Sequence, residues 1–151
     1  MNLNIRPARP GDAERIAEFN RLLAKETEAK ELDRELLTAG VAAMLADPRK
    51  GRYYVAEAKD EMVGQLGVTC EWSDWRNGNF WWIQSVYVAK PARRLGVFRA
   101  LYEHLLLAAR RELDVIGVRL YVEHDNQVAQ VTYKKMGMTM TGYHVMEVYP
   151  L

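Results

Sequence analysis

Apolar and polar positions change rhythm several times along the chain, and each rhythm predicts an element. Leu3 to Arg6 reads as a short strand, ended by Pro7 and by the turn Pro10-Gly11. Asp12 stands where a helix N-cap belongs, its carboxylate suited to the free amide protons of a first turn, and Ile16, Phe19 and Leu23 then recur at helical spacing. A second helix follows Asp33, with Leu37, Val41, Met44 and Leu45 on one side and a stop at Asp47-Pro48, although Gly40 opposes it. At Arg52 the texture changes. Tyr53 to Glu57 and Met62 to Thr69 read as the strands of a hairpin turning at Lys59-Asp60-Glu61. Phe80 to Val88, rich in β-formers, is the clearest strand. Gly96 to Leu113 returns to helical spacing, with Phe98, Leu101, Leu105 and Ala108 on the buried stripe. Val118 to Val122 reads as a buried strand. Asn126 to Met136 reads as a helix stopped by Gly137 in the left-handed C′ position. Met138 to Val148 supplies one or two closing strands. The order β-α-α-β-β-β-α-β-α-β predicts an α/β chain of mixed α+β type, a mixed sheet covered by helices in one domain spanning residues 1–151.

Composition narrows the function classes. A chain of 151 residues can bury about two thirds of its unfolded surface, so it needs no disulfide or metal to fold. Lys and Arg total 21 against 20 Asp and Glu, a net charge of +1 that leaves no broad basic footprint for nucleic acid. The longest uncharged stretch, Asn77 to Ala89, is far shorter than the ~20 residues of a spanning helix. The start, with Arg6, Arg9 and Asp12, lacks the apolar core of a signal peptide. A lone Cys70 can form no internal disulfide, as expected of a reducing, cytoplasmic setting, and should be a small buried residue. His104, His124 and His144 have no companions at ligand spacing, so no metal site is expected.

The most informative run is VYVAKPARRLGVFRALYEHLL, from Val86 onward: a strand entering a basic, Gly-containing turn that opens directly into a helix. The first amides of such a helix lack partners and its dipole favours negative charge. A pyrophosphate can therefore rest on the backbone of Arg94, Leu95, Gly96, Val97 and Phe98, aided by Arg93, Arg94 and Arg99. Spacing alone fits an ordinary strand-to-helix turn with solvated arginines equally well. In the later helix, Ala129, Thr132, Tyr133 and Met136 share a face. A phenol there, of ordinary pKa ~10, is either a packed core ring or a proton donor.

Arg93-x-x-Gly96-x-Phe98 resembles the Q/R-x-x-G-x-G/A acyl-CoA signature of the GNAT N-acetyltransferase superfamily, with Phe98 where that pattern has Gly or Ala. Asn4 to Asp12 resembles the family's first strand and helix start. Leu120-Tyr121-Val122 followed by Asn126, Ala129, Tyr133 and Gly137 resembles its N-x-x-A-x-x-x-Y-x-x-x-G segment. The resemblance covers the whole chain. It implies a mixed, mostly antiparallel central sheet of six to seven strands flanked by about four helices. It also implies acetyl-CoA as co-substrate and direct transfer of acetyl to a primary amine of a small molecule or peptide, in a ternary complex. Val86, Tyr87 and Val88 would pair with the pantetheine arm, the Arg93–Arg99 turn would hold the pyrophosphate, Asn126 would lie on the cofactor side, and Tyr133 would be the general acid.

All four tryptophans fall between Trp72 and Trp82. Aromatic faces beside carboxylates suit an ammonium group, and Trp72, Trp75, Glu71 and Gln84 are the candidate acceptor residues, while Trp81 reads as core. The segment is similar to the di- and polyamine acetyltransferase branch of the family, which has Leu-Glu-Asp where this chain has Ile83-Gln84-Ser85. A glutamine is no base, so proton removal from the amine falls to Glu71, to Glu123, or to a water held by Gln84, Ser85 and backbone carbonyls. The alternative is an acyl-CoA-binding module without turnover. The expected partners are acetyl-CoA, an amine and a second copy in a homodimer, with neither nucleic acid nor membrane.

Overall fold

The stretches rich in β-formers become a single five-stranded sheet, and the helical stretches frame it. The computed structural model describes all 151 residues, which form two compact units, Met1–Leu120 and Tyr121–Leu151. The first unit holds β1 (Asn4–Pro7), α1 (Ala13–Glu28), α2 (Arg34–Ala46), β2 (Arg52–Ala58), β3 (Glu61–Ser73), β4 (Gly78–Val88), α3 (Val97–Arg111) and β5 (Val115–Leu120), with 3-10 turns at Pro10–Asp12 and Lys90–Ala92. The second holds α4 (Gln127–Lys135). Strands lie in chain order across the sheet, antiparallel from β1 to β4, with β5 parallel to β4.

The mixed, mostly antiparallel class stands, but the expected six to seven strands are five. Met138 to Val148 forms no strand, and its side chains lie mostly exposed. A strand needs a neighbouring edge to satisfy its N–H and C=O groups; β-forming residues alone do not create one. Val118 to Val122 was likewise expected to be buried, yet β5 ends at Leu120 and is only half-buried.

Local chemistry explains the element ends. Asp33 caps α2 by accepting the Leu36 amide at 2.9 Å, and α2 runs through Gly40, which faces open space, to Asp47. Asp12 does precede α1 but makes no cap bond to it. Its carboxylate instead accepts two hydrogen bonds from Arg6 (2.8 and 3.0 Å) and one from the Arg9 amide (2.6 Å). Glu57 takes the other side of the Arg6 guanidinium at 2.6 and 2.9 Å, which ties β1 to β2. The stripe of α3 is turned by about one residue from expectation: Val97, Leu101, Tyr102, Leu105 and Ala109 are buried, while Phe98 and Ala108 are partly exposed. Ile16 and Phe19 of α1, Val55, Leu66, Val68 and Trp81 of the sheet, and Leu101 and Leu105 of α3 form the core. Cys70 is exposed on β3 rather than buried, because its strand leaves the core there.

Candidate active site

The sheet opens along β4. Its parallel pairing with β5 runs from Asn79 to Ile83 and stops, while its antiparallel pairing with β3 continues to Val88. Between these limits Ser85 and Val86 together oppose the single residue Leu66, a bulge that bends the strand. Ser85 takes a φ of 51°, a left-handed value uncommon for a residue with a side chain. Past the bulge, Tyr87 and Val88 are paired on the β3 side alone, so the other side of the backbone from Val86 to Val88 is available for an added strand-like partner.

A buried amide network holds the bulge from below. Gln65 is fully buried, and its Nε2 donates to the Ser85 carbonyl at 3.0 Å and to Asn20 Oδ1 at 2.7 Å. Asn20 Nδ2 donates in turn to the Tyr53 hydroxyl at 3.1 Å. Gln65 Oε1 has no hydrogen-bond partner. Sequence reasoning passed over both residues. The available signal was one polar residue inside the apolar run Met62-Val63-Gly64-Gln65-Leu66-Gly67-Val68.

Beyond Val88 the chain makes a 3-10 turn over Lys90–Ala92 and then bends at Arg94 (φ 66°) and Gly96 (φ 82°) into α3. Gly96 is the N-cap of α3, and a Cβ there would meet nothing within 4 Å. The start of α3 seats directly on the sheet: a Cβ at Gly64 of β3 would lie 2.7 Å from Val97 and 3.4 Å from the Tyr87 carbonyl. Only glycine permits that approach, and it brings the free amides of the helix beside the end of β4. A cavity of about 350 Å³ lies there, lined by Val88, Ala92, Arg93, Arg94, Gly96, Val97, Phe98 and Arg99.

The three arginines differ in what they can do. Arg93 donates from Nε to the Val88 carbonyl (2.9 Å) and from Nη2 to Glu26 (2.5 Å), with its guanidinium 5.3 Å from the Tyr87 ring centre. Glu26, at the end of α1, also accepts the Tyr87 hydroxyl at 3.0 Å and faces Lys90 at 3.6 Å. Arg93, then Tyr87, hold its carboxyl below the usual carboxylate range. Burial, then Glu26, push the Tyr87 hydroxyl up. Arg99 is paired with Glu103 at 2.8 Å, one turn along α3, and Arg94 is exposed beside the cavity. Phe98 lines the cavity with its ring 6.1 Å from that of Tyr102. The turn thus offers backbone amides, a positioned guanidinium and a glycine without a side chain, a donor set that fits a pyrophosphate.

The candidate acceptor residues are spread along β3 and β4. Gln84 sits next to the bulge, its Nε2 donating to Thr69 Oγ1 at 3.3 Å. Glu71 is already paired with Arg119 at 3.3 Å, and Arg119 stacks 3.6 Å over the ring of Phe80 and 6.0 Å from that of Trp82. Trp81 is buried beneath Arg52. Trp72 and Trp75 are exposed at the tip of the β3–β4 hairpin. The 11 residues of β4, at ~3.3 Å each, set that tip roughly 33 Å from the end that enters the basic turn. The structure therefore brings Val86–Val88 and Arg93–Arg99 together and holds Trp72 and Trp75 apart from them.

In the second unit, Asn126 caps α4 by accepting the Ala129 amide at 3.1 Å, and Gly137 (φ 94°) ends the helix. Ala129, Tyr133 and Met136 lie on its less exposed face, while Thr132 is exposed and donates to the Val128 carbonyl at 3.0 Å. Burial raises the Tyr133 hydroxyl above its ordinary value, so it remains protonated through neutral pH. Glu123 is exposed, its carbonyl accepting Gln130 Nε2 at 3.0 Å.

Comparison with known proteins agrees with this layout. No curated protein matches the chain significantly in sequence. A possible acetyltransferase from Clostridium difficile 630 is 47% identical, the match covering 100% of this chain and 99% of that one with a TM-score of 0.94. Glucosamine-6-phosphate N-acetyltransferase from Arabidopsis thaliana shares the fold at 18% identity, covering 99% of this chain and 100% of that one with a TM-score of 0.73. Ribosomal-protein-alanine N-acetyltransferase from Brucella melitensis biovar Abortus 2308 does so at 14%, covering 97% of this chain and 98% of that one with a TM-score of 0.78. Residues 15–138 match the model of the acetyltransferase (GNAT) family, and the chain belongs to that family.

Proposed function

We propose that this acetyltransferase moves the acetyl group of acetyl-CoA directly to a primary amine of a small molecule. The observation that carries the reading is the opened strand: β4 leaves β5 at Ile83, bulges at Ser85, and leads into a 350 Å³ cavity at the N-terminus of α3. Val86, Tyr87 and Val88 hold the pantetheine arm through backbone hydrogen bonds. The amides of Arg94 to Phe98 and the side chains of Arg93 and Arg94 hold the pyrophosphate, and Asn126 belongs to the cofactor side. Arg93 comes to this task pre-oriented by Val88 and Glu26.

The chemistry needs two proton transfers. The acceptor must lose a proton before its nitrogen attacks the thioester carbon, and the departing sulfur must gain one. With Gln84 unable to act as a base, its Oε1 orients a water that relays the first proton from the ammonium to bulk solvent. Glu71 is held by Arg119, which lessens its claim. Tyr133 gives the second proton, its burial keeping the phenol charged with hydrogen. The carbon–sulfur bond breaks as the carbon–nitrogen bond completes, with no covalent enzyme intermediate.

Acceptors reached by Trp72 and Trp75 have to be long, because the hairpin tip lies two thirds of a strand length or more from the bulge. An extended polyamine or a peptide meets that requirement. A single domain, working in the cytoplasm as a homodimer without nucleic-acid or membrane partners, completes the proposal, in keeping with the near-neutral charge. A second reading, an acyl-CoA-binding module, draws on Gln84, whose amide is spent on Thr69. Release of free thiol from acetyl-CoA across a panel of small amines, polyamines and peptides separates them. Amine-dependent release supports the transferase; tight acetyl-CoA binding with no release under any amine supports the module.

A further inference from the structure

We infer that Glu26, in the last turn of α1, is a positioning residue for the cofactor: it fixes the Arg93 guanidinium at the cavity and strengthens the grip on a pyrophosphate-bearing acyl donor only through Arg93. The inference rests on the reading of the Arg93–Arg99 turn as the pyrophosphate site.

Glu26 is badly placed for the helix that carries it. The unpaired carbonyls of a last turn make it negative, which disfavours a carboxylate there. Every bond of this carboxylate instead runs to β4 or to the turn beyond it. The Tyr87 hydroxyl donates to Oε1 at 3.0 Å, Arg93 Nη2 donates to Oε2 at 2.5 Å, and Lys90 Nζ lies 3.6 Å from Oε1. Glu28, one step further along α1, shows the ordinary case: its ion pair is with Lys30, two residues on, at 3.9 Å.

The beneficiary is Arg93. An arginine in a turn, its side chain 41% exposed, would otherwise sample many rotamers. Here it is held at three points, by the Val88 carbonyl at 2.9 Å, by Glu26, and by the Tyr87 ring, whose centre lies 5.3 Å from the guanidinium. By occupying Oε1, the Tyr87 hydroxyl also fixes the rotation of the carboxylate, which leaves Oε2 for Arg93. Two of the five guanidinium N–H groups are used in this way, and three remain for a ligand. Arg93 lines the cavity with the first residues of α3, so a phosphate there meets a guanidinium that is already ordered. Charge alone acts the other way. Glu26 is kept ionised at neutral pH by Arg93 and then Tyr87, and an anion near a pyrophosphate repels it. Glu26 can therefore favour the donor only by way of Arg93.

Calorimetric titration with CoA of wild type, E26A, R93A and E26A/R93A tests this. E26A should weaken CoA binding on the order of tenfold, and E26Q, which keeps an oxygen to accept from Arg93, should recover part of that loss. In the R93A background the same E26A substitution should no longer weaken CoA, because its one remaining effect is the removal of an anion. The Arg93 Nε–H resonance should exchange with solvent faster in E26A than in wild type. A tenfold loss on E26A with and without Arg93 alike is what a contact serving only the fold would give, and it overturns the inference; so does an Arg93 resonance unchanged by E26A. R93A weakened beside an E26A of wild-type affinity overturns it while leaving the pyrophosphate reading in place, whereas R93A that binds CoA like wild type overturns both. Urea unfolding of each variant establishes that the titrated protein is folded.

Discussion

Gln65→Leu tests whether the active strand depends on a buried amide. Leucine keeps the volume and apolar character of the site but removes both donors. Asn20 Oδ1, in a buried place, and the Ser85 carbonyl, in a part-buried one, then lose bonds of 2.7 and 3.0 Å. Each stranded acceptor costs ~1–3 kcal/mol, and deleting the orphan Gln65 Oε1 returns about as much as one of them. The net loss is about 2 kcal/mol, or roughly 4–8 °C in Tm for a chain of this size. The loss should not stay global. Without its anchor the Ser85 carbonyl is free to leave the strained φ, so kcat/KM for acetyl transfer should fall even at temperatures where the variant is fully folded. Urea unfolding gives the first quantity, and initial rates of thiol release give the second. Gln65→Glu sharpens the test through pH. Its carboxylate would face two acceptor oxygens without solvent, so its folded pKa must rise above the unfolded ~4.3. Stability linked to such a group is full below the unfolded pKa and lost as pH rises through the folded one. This variant should therefore approach wild-type stability in acid and fall furthest behind at neutral pH. If Gln65→Leu alters stability by less than about 0.5 kcal/mol and leaves the rate unchanged, the amide does not hold the bulge.

Three further outcomes are expected. Gly96→Ala meets no neighbour but must adopt a φ of 82°, so Tm should drop by an amount equivalent to ~1–2 kcal/mol, while calorimetry should show acetyl-CoA affinity falling further than stability explains; equal affinity would remove the turn from cofactor binding. Tyr133→Phe removes only the hydroxyl, so a single-turnover rate lower by ~10²–10⁴ with retained acetyl-CoA affinity is expected of a general acid, and a normal rate would reassign the residue to packing. Asp12 and Glu57, lowered chiefly by hydrogen bonds from Arg6, and Glu26, lowered chiefly by Arg93, contribute stability above their unfolded pKa that is lost as pH falls through the folded values. Urea midpoints should accordingly decline below about pH 4, and Arg6→Met should flatten that decline.

Sequence by itself determined the helices, because burial on one face imposes a local repeat, as with Ile16 and Phe19 on α1 and Leu101 and Leu105 on α3; β2 was legible instead as a short apolar run, Tyr53 to Ala56, buried on both faces. The turn from Val88 to Val97 was legible too, since a strand, a basic glycine turn and a helix are consecutive in the chain. What depends on distant residues was not. Nothing local to Gln65 says that it meets Ser85, 20 positions on, or Asn20, 45 positions back. Glu26 gives no sign at the end of a helix that it will fix Arg93, 67 positions away. Trp72 and Trp75 look close to the active strand in sequence, yet a strand advances ~3.3 Å per residue and carries them to its far end. The β-forming residues after Met138 show the limit most plainly. A helix satisfies its backbone from within, whereas a strand exists only where another edge receives it, and which edge that is belongs to the tertiary and quaternary structure alone.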